Sequence, residues 1–120
     1  MKIAVSSQGQ QLCSHVDPRF GRAAYFIIYD SNAKDFVAVS NTENSQAAQG
    51  AGIQAAQTVA AQGAEIVVSG SVGPKAFTAL QAAGIRIATW HEGTVEQAIA
   101  LVLENKLEPA DRANVRGHWQ

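Results

Sequence analysis

Hydrophobic and polar positions over the first forty residues follow the patterns typical of strands. Residues 2–6, 24–30 and 36–40 alternate between apolar and polar positions or form short apolar runs. A turn at Asp30, Ser31 and Asn32 separates the second run from the third. The pattern predicts three strands, the last two joined as a hairpin.

From Gly50 onward the apolar spacing becomes helical. We predict a helix that begins near Gly50 and stops at Gly63, with Ile53, Ala56 and Ala60 on its buried stripe. The short apolar run at residues 65–69 then predicts a fourth strand.

The rest of the chain repeats this alternation of helix and strand. Residues 74–83 predict a helix that Gly84 ends, and residues 85–90 predict a strand. A last helix follows, in which Thr94 and Gln97 can form a capping box. Its buried stripe is predicted to consist of Val95, Ala98, Ile99, Val102 and Leu103.

This order of elements predicts a single α/β domain. Strands separated by helices should be parallel, so a mixed sheet covered by helices is expected. Ligands of such sheets usually bind beyond the carboxyl ends of the parallel strands. Residues 6–22, 70–75 and 91–94 are the loops expected there.

Composition limits the classes of partner. The 120 residues carry a formal charge of −1, with 47% hydrophobic and 16% charged positions, so no global field attracts nucleic acid or an anionic membrane. No apolar run approaches a membrane span, and Met1 and Lys2 lead straight into a strand pattern. We expect a cytoplasmic protein.

Residues 17–22, which we call the arginine turn, place Arg19 and Arg22 around Phe20 in a segment bounded by Pro18 and Gly21. Arginine keeps its charge near neutral pH, and its planar fork suits oxyanions and other compact anions. The turn therefore predicts an anion site. The alternative is a solvated loop whose arginines pair with Asp17 or Asp30.

The loop at residues 69–75 gives a second candidate. Gly70 and Gly73 allow backbone N–H groups to turn toward a guest, and Lys75 follows Pro74 at the predicted helix start. A helix start with a lysine nearby suits an anion. The glycine spacing is not that of a Walker loop. The alternative is that Ser71 simply caps the helix.

A third candidate is a metal site. Cys13 is the only cysteine, which excludes an internal disulfide and a cluster held by four cysteines of one chain. Cys13 and His15 favour copper or zinc but form at most a partial site, to which His91 can add a ligand. The alternative is an incidental thiol beside solvated histidines.

Four segments together give a family resemblance: the first strand leading into Ser6 and Ser7, residues 18–22, residues 50–53 and residues 70–77. The chain resembles the dinitrogenase iron–molybdenum cofactor biosynthesis family from Met1 to about Leu107. The resemblance implies a ribonuclease H-like motif, with a five-stranded mixed sheet flanked by helices. It also implies a protein that binds or carries a metal–sulfur cluster.

One departure from the family pattern bears on the cargo. Members that handle the nitrogenase cofactor have a proposed histidine ligand where this chain has Arg19, and a protonated guanidinium cannot coordinate a metal. The arginine form is similar to the orange-protein type, which binds a linear, trianionic molybdenum–copper sulfide cluster. The predicted cofactor-binding residues are Arg19, Phe20, Gly21, Arg22, Ser71, Val72, Gly73 and Lys75.

Within this set the residues have different predicted roles. Arg19, Arg22, Lys75 and the helix start hold the cluster by charge and N–H···S contacts, and Phe20 and Val72 form an apolar wall that lowers the local dielectric. A guest held in this way is easily lost on purification.

Three other functions remain open. The first is carriage or insertion of an iron–molybdenum cofactor or its precursor, with delivery to a protein partner. The second is an interaction module without a cluster, using Trp90, His91 and Trp119. The third is a nuclease, but Asp17, Asp30 and Glu43 are scattered over different loops, so we do not expect an enzyme.

The last residues differ from the rest of the chain. Pro109 stops the preceding helix, and the following positions offer little apolar surface to bury. We therefore predict a family domain at residues 1–107 and a flexible tail at residues 108–120.

Overall fold

A computed structural model of the chain describes residues 1–45 and 50–108. Over these ranges the backbone forms one mixed sheet of five strands, in the order β3-β2-β1-β4-β5. The strands are β1 (Lys2–Ser7), β2 (Tyr25–Asp30), β3 (Asp35–Ser40), β4 (Ile66–Ser69) and β5 (Arg86–Thr89). The predicted α/β architecture, a ribonuclease H-like motif, is confirmed.

Strand direction sets where the site loops lie. β1 is antiparallel to β2, with Ser6 opposite Phe26, and parallel to β4, with Val5 opposite Val68. β4 is in turn parallel to β5. The carboxyl ends of β1, β4 and β5 therefore share one edge of the sheet, which we call the carboxyl edge.

Helices cover both faces of the sheet in the described ranges: α1 (Thr42–Ser45), α2 (Ala51–Ala61), α3 (Pro74–Ala82) and α4 (Val95–Leu103). Alternation along the strands divides the core, as the period of a strand requires. Ala4 and Val67 belong to the cluster under α2 and α3, whereas Val5 and Val68 belong to the cluster under α4.

Local chemistry accounts for the helix ends. The capping box of α4 is confirmed: Gln97 N–H donates to the Thr94 hydroxyl at 3.2 Å, and Thr94 N–H donates to Gln97 Oε1 at 2.9 Å. Gly63 and Gly84, predicted to stop α2 and α3, have φ of 81° and 77°. Such left-handed backbone favours glycine over residues with a Cβ.

Two predicted buried stripes need correction. Ile53 is 37% exposed, and the buried residues of α2 are Ala51, Ala55, Ala56 and Val59. Leu103, at the end of α4, is 47% exposed, whereas the other predicted positions of that stripe are buried. The short helix α1 was not predicted, because four residues are too few to show a helical period.

The predicted tail lies almost wholly outside the described ranges, and Trp119 with it. Among the helices of residues 1–45 and 50–108, none has the length and apolar character needed to cross a membrane.

Candidate functional site

The arginine turn lies at the carboxyl edge, against the end of β1. The chain leaves β1, loops out and returns so that Ser7 pairs with Val16 in an antiparallel bridge. Asp17 N–H then donates to the Ser6 carbonyl at 2.8 Å, and the Ser6 hydroxyl donates to the Asp17 carbonyl at 2.7 Å. These bonds place the start of the turn directly on the central strand.

The loop between β4 and α3 holds the middle of the turn. Arg19 pairs with Ser71 in a parallel bridge, and Phe20 N–H donates to the Ser71 carbonyl at 3.1 Å. The Ser71 hydroxyl donates back to the Pro18 carbonyl at 2.9 Å. Ser71 therefore connects the two candidate loops through hydrogen bonds. It does not cap α3, whose N-cap is Gly73.

The loop after β5 completes the edge. Val16 N–H donates to the Gly93 carbonyl at 3.0 Å, and His15 forms a bridge with Thr94. The His91 ring lies against Gly70, where an added Cβ would come within 2.8 Å of Nδ1 and 2.7 Å of the Pro18 carbonyl oxygen. The three loops predicted to meet therefore do meet.

The end of the turn packs on the first turn of α2. A Cβ on Gly21 would lie 2.9 Å from the Gly52 nitrogen, and a Cβ on Gly52 would lie 3.0 Å from Ala76 Cβ in α3. Such close backbone approach is available only to glycine. The buried Asn41 side chain donates to the Ala23 carbonyl at 2.8 Å, which secures the exit of the turn.

The three cationic side chains of the candidate site are exposed. The Arg19 side chain is 64% exposed, and Arg22 and Lys75 are also exposed. Lys75 is the second residue of α3, and it lies with Ile53 and Pro74 along an open groove beside α2. The N-cap residues of α2 and α3, Gly50 and Gly73, make no side-chain capping bond.

Asp17 pairs with Arg19, as the alternative of a solvated loop expected, but the burial of Asp17 was not predicted. Its side chain is only 4% exposed, and Oδ1 accepts a hydrogen bond from Arg19 N–H at 2.9 Å. Oδ1 also lies 3.5 Å from Arg19 Nε. An aspartate two residues before the N–H that it accepts is the pattern of an Asx turn, a signal present in the sequence.

The predicted apolar wall needs correction. Phe20 is 1% exposed and Val72 is fully buried, both in the cluster under α2 and α3. The Phe20 ring packs on Phe26 with centroids 5.1 Å apart. These side chains anchor the two loops in the core, so they offer almost no surface to a guest.

The predicted metal ligands are not brought together. Cys13 and His15 are both exposed, and His15 Nδ1 lies 2.8 Å from the Val16 carbonyl. Over residues 1–45 and 50–108, no group of three or more His, Cys, Asp or Glu side chains is placed to hold a metal ion. The structure thus gives no support to a site made of Cys13, His15 and His91, or to a carboxylate cluster of the nuclease type.

Proteins of known structure share this fold and its topology. The apo form of the orange protein from Desulfovibrio gigas is 43% identical, with 95% of this chain and 96% of that chain covered and a TM-score of 0.93. A protein from Thermotoga named as a NifB protein is 36% identical, with 97% and 98% covered and a TM-score of 0.84. In sequence, an uncharacterized protein from Methanocaldococcus jannaschii is 29% identical over 111 residues, 90% of both chains.

These likenesses define a class of small α/β proteins. The family model described as dinitrogenase iron-molybdenum cofactor matches residues 1–105. The chain belongs to this family, and a cofactor-related binding or carrier role follows from that membership.

Proposed function

We propose that this protein binds and carries an anionic molybdenum–sulfur cluster, most specifically a molybdenum–copper sulfide cluster, and catalyses no reaction. The observation that carries the proposal is the pairing of Arg19 with Ser71, which joins the arginine turn to the loop that begins α3. Membership of the family and the 43% identity to the orange protein support the same role.

The chemistry of the edge suits a polyanion. Arg19 and Arg22 supply permanent positive charge on a turn whose backbone is fixed at both ends. Lys75 adds a third cation on the adjoining helix. Because the cluster carries its own sulfide, such groups can hold it through charge and N–H···S contacts without supplying a ligand to the metal.

The start of α3 adds favourable electrostatics. The partial positive charge of a helix N-terminus attracts anions, and Gly73 brings no side chain to cap it. Gly70 and Gly21 allow the loops to approach closely enough to present a continuous surface. Within the proposal, Phe20 and Val72 support this surface from the core, and Gly73 leaves room above the helix start.

The alternative cargo is an iron–molybdenum cofactor or its precursor. The family description and the 36% identity to the protein named as a NifB protein favour it. Arg19 weighs against it, because a guanidinium cannot replace a histidine ligand. We therefore place this cargo second.

The test is a titration of the purified protein with tetrathiomolybdate and copper, followed by gel filtration, metal analysis and a visible spectrum. We expect molybdenum and copper to coelute with the protein and to give a coloured complex. The double variant Arg19→Gln/Arg22→Gln should lose at least about a hundredfold in affinity, since each charge-assisted hydrogen bond contributes about 1.5 kcal/mol or more.

A matched control removes two positive charges at positions away from the candidate site. Arg86 begins β5 at the opposite edge, and Lys106 follows α4, where it pairs with Glu104 at 3.2 Å. The variant Arg86→Gln/Lys106→Gln should load like the wild type. Equal loading of both double variants would overturn the electrostatic site. A wild type that retains neither metal would overturn the molybdenum–copper cargo, and partner capture would then test the interaction module.

A further inference from the structure

The side chain of Asp17 is a buried anion inside a site proposed to bind anions. It is only 4% exposed, although it belongs to a loop at the surface. The backbone on both sides of its Cα is fixed to Ser6, through the N–H at 2.8 Å and the carbonyl at 2.7 Å. Since burying an isolated carboxylate is costly, its partners have to compensate for its charge.

Arg19 supplies such compensation through two groups. Its N–H donates to Asp17 Oδ1 at 2.9 Å, and its Nε lies 3.5 Å from the same oxygen. One end of the Arg19 guanidinium therefore lies beside a buried carboxylate, while 64% of the Arg19 side chain remains exposed. An anionic cargo on the exposed side has to share this cation with Asp17.

We infer that Asp17 is an internal counter-ion of Arg19 that keeps the arginine turn shaped in the absence of cargo and lowers its affinity for cargo, so that the cargo can be released. This inference rests on the proposed function. Asp17 has two separable effects: its oxygen accepts the Arg19 N–H, which shapes the turn, and its negative charge opposes the charge of the cargo.

Two substitutions separate these effects. Asp17→Asn keeps an oxygen that can accept the Arg19 N–H and removes the charge. We expect it to raise the affinity for the molybdenum–copper cluster formed from tetrathiomolybdate and copper by about twofold to fivefold at low salt, the range of one partly exposed charge pair. Asp17→Ala also removes the acceptor, so the turn loosens and the affinity should fall below that of the wild type.

Salt dependence distinguishes an electrostatic role from a structural one. The advantage of Asp17→Asn over the wild type should shrink as salt rises toward 1 M, where the Debye length is about 3 Å. The matched control is Asp30→Asn, which removes the same charge at the far end of β2, in the hairpin at the opposite edge. It should bind like the wild type at every salt concentration.

The pairing can also be measured without cargo, by NMR of the Arg19 Nε–H group. In the wild type this proton should exchange more slowly than in Asp17→Asn, because the carboxylate holds it.

Unchanged exchange, or an Asp17→Asn affinity equal to or below that of Asp30→Asn, would overturn the inference. If the wild type retains the cluster and Arg19→Gln/Arg22→Gln loses it, the proposed function holds. A negative result with Asp17→Asn then counts against the inference alone. If the wild type retains no cargo, the proposed function fails and the effect on affinity fails with it.

Discussion

The hydroxyl of Ser71 donates a hydrogen bond to the carbonyl of Pro18 at 2.9 Å, across 53 positions of sequence. The Ser71 carbonyl accepts from Phe20 N–H in return. This reciprocal pair fixes the arginine turn to the loop that begins α3, so the geometry of the proposed site depends on a residue whose side chain carries no charge.

Replacing Ser71 by alanine should therefore loosen the turn without unfolding the protein. Loss of the hydroxyl leaves the partly buried Pro18 carbonyl without this donor, and we expect a cost of about 0.5–1.5 kcal/mol in the free energy of unfolding. Urea denaturation measures it. Thr58→Ala is the control, because the Thr58 hydroxyl bonds within its own helix, to the Gln54 carbonyl at 3.0 Å, and should change stability by less than about 0.5 kcal/mol. Equal effects would contradict the role of Ser71.

Gly70→Ala should destabilise the carboxyl edge. The added Cβ would lie 2.7 Å from both the Cα and the carbonyl oxygen of Pro18, so backbone has to move, at a cost of about 1–3 kcal/mol. Thermal unfolding measures the loss.

A second substitution identifies the neighbour responsible. His91→Ala removes the ring that lies 2.8 Å from the same Cβ. In the Gly70→Ala background it should restore stability only in part, because the contact with the Pro18 backbone remains. Complete rescue would show that the ring, not the turn, sets the space at Gly70.

Phe20 gives a prediction that separates core packing from contact with cargo. Phe20→Ala should cost about 3–5 kcal/mol in the free energy of unfolding, since the ring is 1% exposed and packs on Phe26. Phe20→Leu, which keeps most of the volume, should remain folded and retain the cluster. A folded Phe20→Leu protein that loses the cluster would show that Phe20 contacts the cluster after all.

Asp30 gives a prediction about pH. Hydrogen bonds from Asn32 N–H at 2.9 Å and Ala33 N–H at 3.4 Å lower the pKa of the Asp30 carboxyl below its ordinary value. The folded pKa is the lower one, so the stabilisation is complete above the ordinary aspartate pKa. It is lost as pH falls through the folded value.

Carbon-detected NMR titration of the Asp30 carboxyl measures this shift directly. Stability measured between pH 6 and 2.5 should fall less steeply in Asp30→Asn than in the wild type. A titration midpoint at or above the ordinary value would contradict the assignment.

The elements and their order along the chain were predictable because three strand patterns precede Gly50 and helix and strand patterns alternate after it. Strand and helix bounds differ from the prediction by only one or two residues. Ile53 was placed wrongly because α2 is rich in alanine, which fits a core as readily as a surface and leaves the buried stripe poorly defined.

The candidate site was predictable only in its location. Topology brings three loops to the carboxyl edge, as the rule for parallel strands requires. The burial of Asp17, Phe20 and Val72 depends on the path of residues 8–16 and on contacts with distant loops, which no local pattern encodes. Arg19 and Ser71 are joined by backbone pairing, which the side chains do not reveal.

The arginine turn is held mainly by main-chain bonds and buried residues, whereas Arg19 and Arg22 face outward. Shape and charge are therefore encoded at different positions of one short segment. Substitution of either arginine changes the charge of this edge, whereas the bonds of Ser6 and Ser71 to the turn do not involve a guanidinium. The charge presented at this edge can therefore change through two codons without altering the bonds that shape the turn.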